Sequence, residues 1–265
     1  MTPLPRLMVA PNGARRGKAD HPQLPITDDE VVATARACQQ AGADGIHVHI
    51  RDAAEKHLLD AGRYRALIDR LADQVPGMYL QVTSETAGRY EAEEQRAMMR
   101  SLRPQKISVG LREMVRLPRD WPQALEFYHW AAEEGIEIQH ILYSPHEVHA
   151  FVSACLNRLI PGRHHLLLFV QGSYANGAQD SVPLEEYLEP LTRAEGMEFD
   201  WMACAFGPEE TDSLVRAVQL GGKARVGFEN SLWHADGSLA RDNAERVRAL
   251  DAALRALAPA DPAPA

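Results

Sequence analysis

His47 and His49 stand two residues apart in the run Gly45-Ile-His-Val-His-Ile-Arg-Asp52. In an extended strand that spacing turns both imidazoles, and Arg51 after them, to one face. Two converging imidazoles are suitable ligands for a borderline dication such as Zn²⁺. The same spacing also fits a pair of hydrogen-bonded histidines without a metal. Far along the chain, Ala224-Arg-Val-Gly-Phe-Glu-Asn230 gives Arg225, Gly227 and Glu229 one parity, placing an arginine and a carboxylate together in an apolar run. Buried charges of that kind need a partner or a metal, although a structural Arg–Glu pair would satisfy the requirement. Taken together, His47, His49 and Glu229 form a three-ligand set that leaves a coordination position for substrate, as catalytic zinc sites do.

A third segment, Gln81-Val-Thr-Ser-Glu-Thr86, ends in hydroxyls followed by a carboxylate. It suits an anionic substrate and an acid–base group, or merely the cap of the next helix. Other signals are weaker. Gly13-Ala-Arg-Arg-Gly-Lys18 is one residue short of a phosphate loop and is followed by Ala19 rather than Ser or Thr. His146 and His149 lack the spacing of a zinc-protease helix and read as an exposed helix start. His164 and His165 open a strand at the wrong end for catalysis. His140 is a minor candidate base, and no Ser-His-Asp signature is present.

These groups must be positioned by regular elements, and the chain alternates short apolar runs with longer helical patterns. The strand-like runs are Leu7–Ala10, Gly45–Ile50, Met78–Thr83, Lys106–Leu111, Ile136–Tyr143, His165–Gln171, Phe199–Phe206 and Ala224–Phe228. The helical segments include Asp60–Gln74, Glu91–Leu102, Trp121–Glu134, Pro145–Leu159, Leu184–Ala194, Thr211–Leu220 and Arg241–Leu257. The first helix opens on Thr27-Asp-Asp-Glu30, a capping box with Ile26 and Val31 placed as its hydrophobic staple, and runs to Gly42. Eight such units predict an α/β protein, a (β/α)₈ TIM barrel of one domain over 1–257, with an active site at the carboxyl ends of the strands. A doubly wound sheet would require a glycine-rich turn after the first strand, and none stands there. Residues 258–265 read as a frayed Pro/Ala tail.

Composition limits the partners. The 265 residues carry a net charge of −9, which argues against nucleic acid or an anionic membrane. Cys38, Cys155 and Cys204 are widely spaced and read as buried small hydrophobes, and the N-terminus has no signal-peptide pattern, so a cytoplasmic location is expected. Arg15, Arg16 and Lys18 could meet the phosphates of a small ligand or form a solvated basic loop.

Five motifs in register, Val9-Ala-Pro-Asn-Gly-Ala14, Lys18-Ala-Asp-His-Pro22, His47-Val-His-Ile-Arg-Asp52, Gln81-Val-Thr-Ser-Glu85 and Arg225-Val-Gly-Phe-Glu229, resemble the β-keto acid cleavage enzymes. The resemblance implies a TIM barrel, a homotetramer, one zinc held by His47, His49 and Glu229, and acetyl-CoA as co-substrate. It implies condensation of a β-keto acid with acetyl-CoA, giving acetoacetate and a new acyl-CoA. Arg225 then matches a catalytic arginine, and Thr83, with Ser84 beside it, matches a carboxylate-binding hydroxyl. Asn12, in the first motif, is counted with them as substrate-binding. The chain departs from the family at Asn230, where an Asp is expected, and an amide cannot take an α-proton. Glu85 is the first choice for the base, with Asp52 and His140 as weaker options. Two other readings are a metal-dependent hydrolase of amidohydrolase type and a zinc- and ligand-binding protein without turnover.

Overall fold

The computed structural model describes residues 2–178 and 181–257. The expected tail, 258–265, lies outside them. Eight parallel strands close into a barrel: β1 Leu7–Val9, β2 Gly45–Val48, β3 Tyr79–Thr83, β4 Lys106–Gly110, β5 Glu137–Leu142, β6 His164–Gln171, β7 Glu198–Ala205 and β8 Lys223–Val226. Closure is made by β1 against β8, with Leu7 opposite Ala224 and Met8 opposite Arg225. The outer helices are α1 Asp28–Gln40, α2 Ala61–Gln74, α3 Ala92–Leu102, α4 Trp121–Glu133, α5 Pro145–Leu156, α6 Leu184–Leu188, α7 Glu210–Gln219 and α8 Asn243–Arg255. The chain is therefore the TIM barrel that the strand–helix rhythm predicts.

Alternation along the strands sorts the core into two shells. Met8, Ile141, Leu166, Leu168, Met202 and Cys204 fill the barrel interior. Their strand neighbours, such as Leu7, Val9, Ile46, Leu167 and Phe169, pack outward under the helices. The outward positions, covered by helices, are apolar nearly throughout, whereas the inner face also carries buried polar groups, His47, Gln81, Ser108, Gln139 and Arg225 among them.

Several boundaries differ from the sequence reading for identifiable reasons. The second strand stops at Val48, and Ile50–Arg51 turns aside to pair antiparallel with His57–Leu58. The turn between them is fastened by Asp52, whose Oδ1 accepts the backbone N–H groups of Ala54 and Lys56. Arg51 consequently leaves the histidine face and donates to the carbonyls of Asn12, Gly13 and Arg16, tying down the first loop. The segment expected as one helix over 184–194 is α6 followed by a 3₁₀ turn, Glu189–Arg193. Pro190 has no N–H to continue the α-helical ladder. At α1 the capping box is present, with Thr27 accepting from Glu30 N–H and Glu30 reaching back to Thr27 N–H.

Candidate metal centre and adjoining cavity

His47 is the third residue of β2, opposite Gln81 of β3, and points into the barrel. His49 lies just beyond the strand end, where both ends of the Asn12 side chain grip its backbone: Nδ2 donates to His49 C=O at 3.0 Å and Oδ1 accepts from His49 N–H at 3.3 Å. The two histidines thus meet through their Nε2 atoms, 3.1 Å apart.

Glu229 arrives by a different device. β8 ends at Val226, and Gly227, at φ 141°, turns the chain. The turn is braced from several sides. Glu229 N–H donates to Ala10 C=O at 3.0 Å. Phe228 N–H donates to Asn243 Oδ1 at 2.9 Å, and Gly227 N–H to Glu210 Oε1 at 3.2 Å. Arg16 donates to the carbonyls of Phe228, Glu229 and Asn230. Parity along a strand is therefore not what brings Glu229 inward; a buttressed turn is.

Glu229 Oε2 lies 3.7 Å from His47 Nε2 and 3.6 Å from His49 Nε2, while Oε1 accepts from Arg225 Nη2 at 3.1 Å. Ligand atoms of His47, His49 and Glu229 all fall within 4.8 Å of one another, and all three residues are buried. Burial lowers the His47 imidazole to about 4, against the pull of Glu229. His49 is lowered too, by burial and by its neighbours His47 and His57. Both rings are thus neutral near pH 7, the state in which imidazole can ligate. Glu229 Oε2 is buried with no hydrogen-bond partner. An unpaired buried carboxylate oxygen beside two neutral imidazoles is costly, and a dication in the centre would relieve that cost. The donor set fits such an ion.

A cavity of about 340 Å³ opens over this cluster, lined among others by Arg15, Thr83, Glu85, Tyr143, Tyr174 and Asn230. Glu85 Oε2 stands 3.9 Å from His49 Nε2. Burial raises the Glu85 carboxyl to about 8, helped by the negative charges of Glu229 and Glu113. Thr83 Oγ1 accepts from Glu85 N–H at 3.0 Å, leaving the hydroxyl proton for a ligand. Arg225 contacts Asn230 Oδ1 at 3.4 Å, yet its Nε and Nη1 are buried without partners.

Other candidates fall elsewhere. Ser84 points behind the strand, donating to Ser108 C=O, and Asn12 is occupied with the His49 backbone; neither lines the cavity. His140 corrects the expectation of a minor base: it faces outward between Tyr128, Phe151 and His165. Asp52 is spent on its turn and on Arg89. Arg16 holds the Glu229 turn, and Lys18 pairs with Glu30 at 2.6 Å, so of the three basic loop residues Arg15 alone lines the cavity. Among the described residues, no carboxylate lies within ion-pair distance of it. Three contributors were missed in the sequence: His57, which packs on His49; Gln81, which contacts His47; and Ser108, whose buried hydroxyl has no partner and lies opposite Thr83 in the register. Strand parity offered a signal for Gln81 and Ser108, whereas His57 gave none.

Comparison with known proteins decides the family. A family model described as beta-keto acid cleavage enzyme matches residues 6–265. The chain belongs to the β-keto acid cleavage enzyme family. It is 26% identical over 250 residues to a 3-oxoadipate:acetyl-CoA acetyltransferase of Cupriavidus necator, covering 91% of this chain and 85% of that protein. It is 23% identical over 241 residues to a 3-keto-5-aminohexanoate cleavage enzyme of Fusobacterium nucleatum, covering 89% and 85%. Among solved structures, ObcA bound to oxaloacetate superimposes with a TM-score of 0.67 at 16% identity, over 89% of this chain; this chain spans 64% of the ObcA chain. That likeness shows the shared barrel. As a member of this family the chain is an enzyme of carbon–carbon bond cleavage by acyl transfer. Among the described residues, no helix is long and apolar enough to cross a membrane.

Proposed function

We propose that this enzyme is a zinc-dependent β-keto acid cleavage enzyme that condenses a β-keto acid with acetyl-CoA and releases acetoacetate and the CoA thioester of the remaining acyl group. The observation that carries the reading is the convergence of His47, His49 and Glu229 beneath a cavity that also presents Glu85, Thr83 and Arg225. The acetyl-CoA requirement is further supported by the name of the Cupriavidus relative, a 3-oxoadipate:acetyl-CoA acetyltransferase.

His47, His49 and Glu229 would hold the ion, which when bound supplies Lewis-acid polarisation of a carbonyl oxygen. Glu85 acts as the base in place of the aspartate that Asn230 displaces. Glu85 must be ionised to accept the α-proton. A dication held beside it would offset the charges of Glu229 and Glu113 that add to burial in raising its carboxyl. Its raised basicity then suits exchange of a proton with an α-carbon. The free Thr83 hydroxyl proton and the unpartnered Nε and Nη1 of Arg225 orient and neutralise the substrate's carboxylate and developing oxyanion. Asn230 Oδ1 keeps Arg225 turned into the cavity. After Glu85 takes the α-proton, the carbon attacks the acetyl thioester and CoA thiolate leaves. The thiolate then adds to the substrate's ketone carbon and expels acetoacetate as a carbanion, which recovers the proton from Glu85. No protein nucleophile is needed.

Arg15 at the cavity mouth favours an acyl chain ending in an anionic group, a feature of the 3-oxoadipate named for the Cupriavidus relative. The same reading takes the protein as a cytoplasmic homotetramer. The test is zinc-loaded protein incubated with acetyl-CoA and a panel of β-keto acids. Acetoacetate and a new acyl-CoA are expected in equal amounts; no acetoacetate from any member would overturn the proposal.

A further inference from the structure

Behind each histidine of the metal cluster runs a chain of hydrogen bonds, and each chain ends on a backbone carbonyl. On the first, Gln139 Nε2 meets Leu167 C=O at 3.1 Å, Gln81 Nε2 meets Gln139 Oε1 at 3.0 Å, and Gln81 Oε1 meets His47 Nδ1 at 2.8 Å. On the second, His57 Nε2 meets Glu85 C=O at 2.8 Å, and His57 Nδ1 faces His49 Nδ1 at 3.4 Å. His47, His49, His57, Gln81 and Gln139 are all essentially inaccessible to solvent, so water does not substitute for a missing link.

We infer that these two relays set the tautomers of the metal-binding histidines, with His57 a positioning residue for His49 and the Gln81–Gln139 pair for His47. The reasoning runs outward from the carbonyls, which can only accept. Leu167 C=O requires the Gln139 amide to present its NH₂. Gln139 must then present oxygen to Gln81, and Gln81 presents oxygen to His47. His47 therefore carries its proton on Nδ1 and leaves Nε2 bare. On the other side, Glu85 C=O requires the His57 proton on Nε2. His57 is buried, no carboxylate among the described residues lies within ion-pair distance of its ring, and Arg89 donates to its backbone carbonyl, so the ring is neutral with Nδ1 as an acceptor. His49 then carries its proton on Nδ1, and its Nε2 is also bare. Two bare nitrogens 3.1 Å apart cannot bond to each other; their lone pairs point to a common cation. Fixing ring orientation and tautomer through the second nitrogen is a recurrent means of tuning metal affinity.

The inference rests on the metal reading of this cluster, but the tautomers can be observed without any metal. Nitrogen-15 NMR of the histidines in metal-free protein is expected to show the Nδ1–H tautomer for both His47 and His49. His57→Leu is expected to weaken zinc binding about 10–100-fold and to release His49 from that tautomer. His57→Asn, whose side-chain oxygen can stand where Nδ1 stood, is expected to restore most of the affinity. An Nε2–H tautomer at His49 in the unmodified protein overturns the inference, as does wild-type zinc affinity in a folded His57→Leu variant. If His57→Leu does not fold, the tautomers of the unmodified protein decide. Nδ1–H tautomers in a protein that fails to bind zinc would uphold the relays and overturn the metal reading instead.

Discussion

Gly227 lies so close to Ala10 that a β-carbon on it would stand 2.5 Å from the Ala10 carbonyl oxygen. That carbonyl also receives the N–H of Glu229, so the first and last strands of the barrel are joined at the turn that carries a candidate metal ligand. Gly227→Ala must both adopt φ near +141° and displace Ala10. A loss of about 1–3 kcal/mol in unfolding free energy is expected from the backbone alone. Zinc affinity, measured by competition with a chromophoric chelator, should fall as well, because Glu229 moves with the turn. Wild-type stability together with wild-type affinity would contradict this account.

If zinc occupies the proposed site, its removal should be reversible. Dialysis against a strong chelator is expected to abolish turnover and lower Tm, and stoichiometric zinc to restore both, since an ion that binds only the folded state stabilises it. His49→Ala should fail to retain metal by elemental analysis.

Glu85→Gln removes the proposed base but keeps the side chain's shape. A decrease in kcat of about 10²–10⁴-fold is expected, with zinc content unchanged. Turnover within threefold of wild type would move the role to another group.

Arg15→Ala tests the reading of the cavity mouth. For a β-keto acid with a terminal carboxylate, KM should rise by about tenfold, corresponding to one partly exposed charge-assisted hydrogen bond. For a neutral-chain homologue it should change by less than threefold. Equal effects on both would place Arg15 on the coenzyme instead.

Glu30 provides a pH signature outside the active site. Burial opposes its charge, but the Lys18 ammonium and the N–H groups of Thr27 and Ile26 prevail and hold the carboxyl down at about 2. A carboxylate depressed in the folded state contributes stability that is complete above its ordinary value of 4.5 and is lost as pH falls toward 2. Glu30→Gln should therefore cost about 1 kcal/mol at pH 7, a modest figure because the group is partly exposed. In paired urea titrations that difference should narrow between pH 4.5 and 3.

How much of this was legible beforehand follows from the range of each interaction. The capping box at Thr27 was readable because its partners are three residues apart and any helix start with those residues makes the same bonds. Strand parity correctly put His47 on the interior face, opposite Gln81. The same rule failed at Arg51, where the chain leaves β2 for a ribbon pinned by Asp52, and it named Glu229 for a reason the fold does not use. For His140 alternation left the facing open, since at most one of His140 and Tyr143 could point inward; Gln139 takes the inner face and His140 turns outward.

By itself, the amino-acid order determined the strand–helix alternation, the closed parallel barrel it implies, and the residue types able to hold a dication, all consequences of periodicity within single elements. Only the tertiary structure decided that Glu229 meets His47 and His49, that Asn12 serves the His49 backbone rather than a ligand, and that His57 supports His49 from behind. Those contacts join segments brought together by barrel closure and by loops whose paths are set through backbone hydrogen bonds, and such hydrogen bonds leave little trace in side-chain patterning.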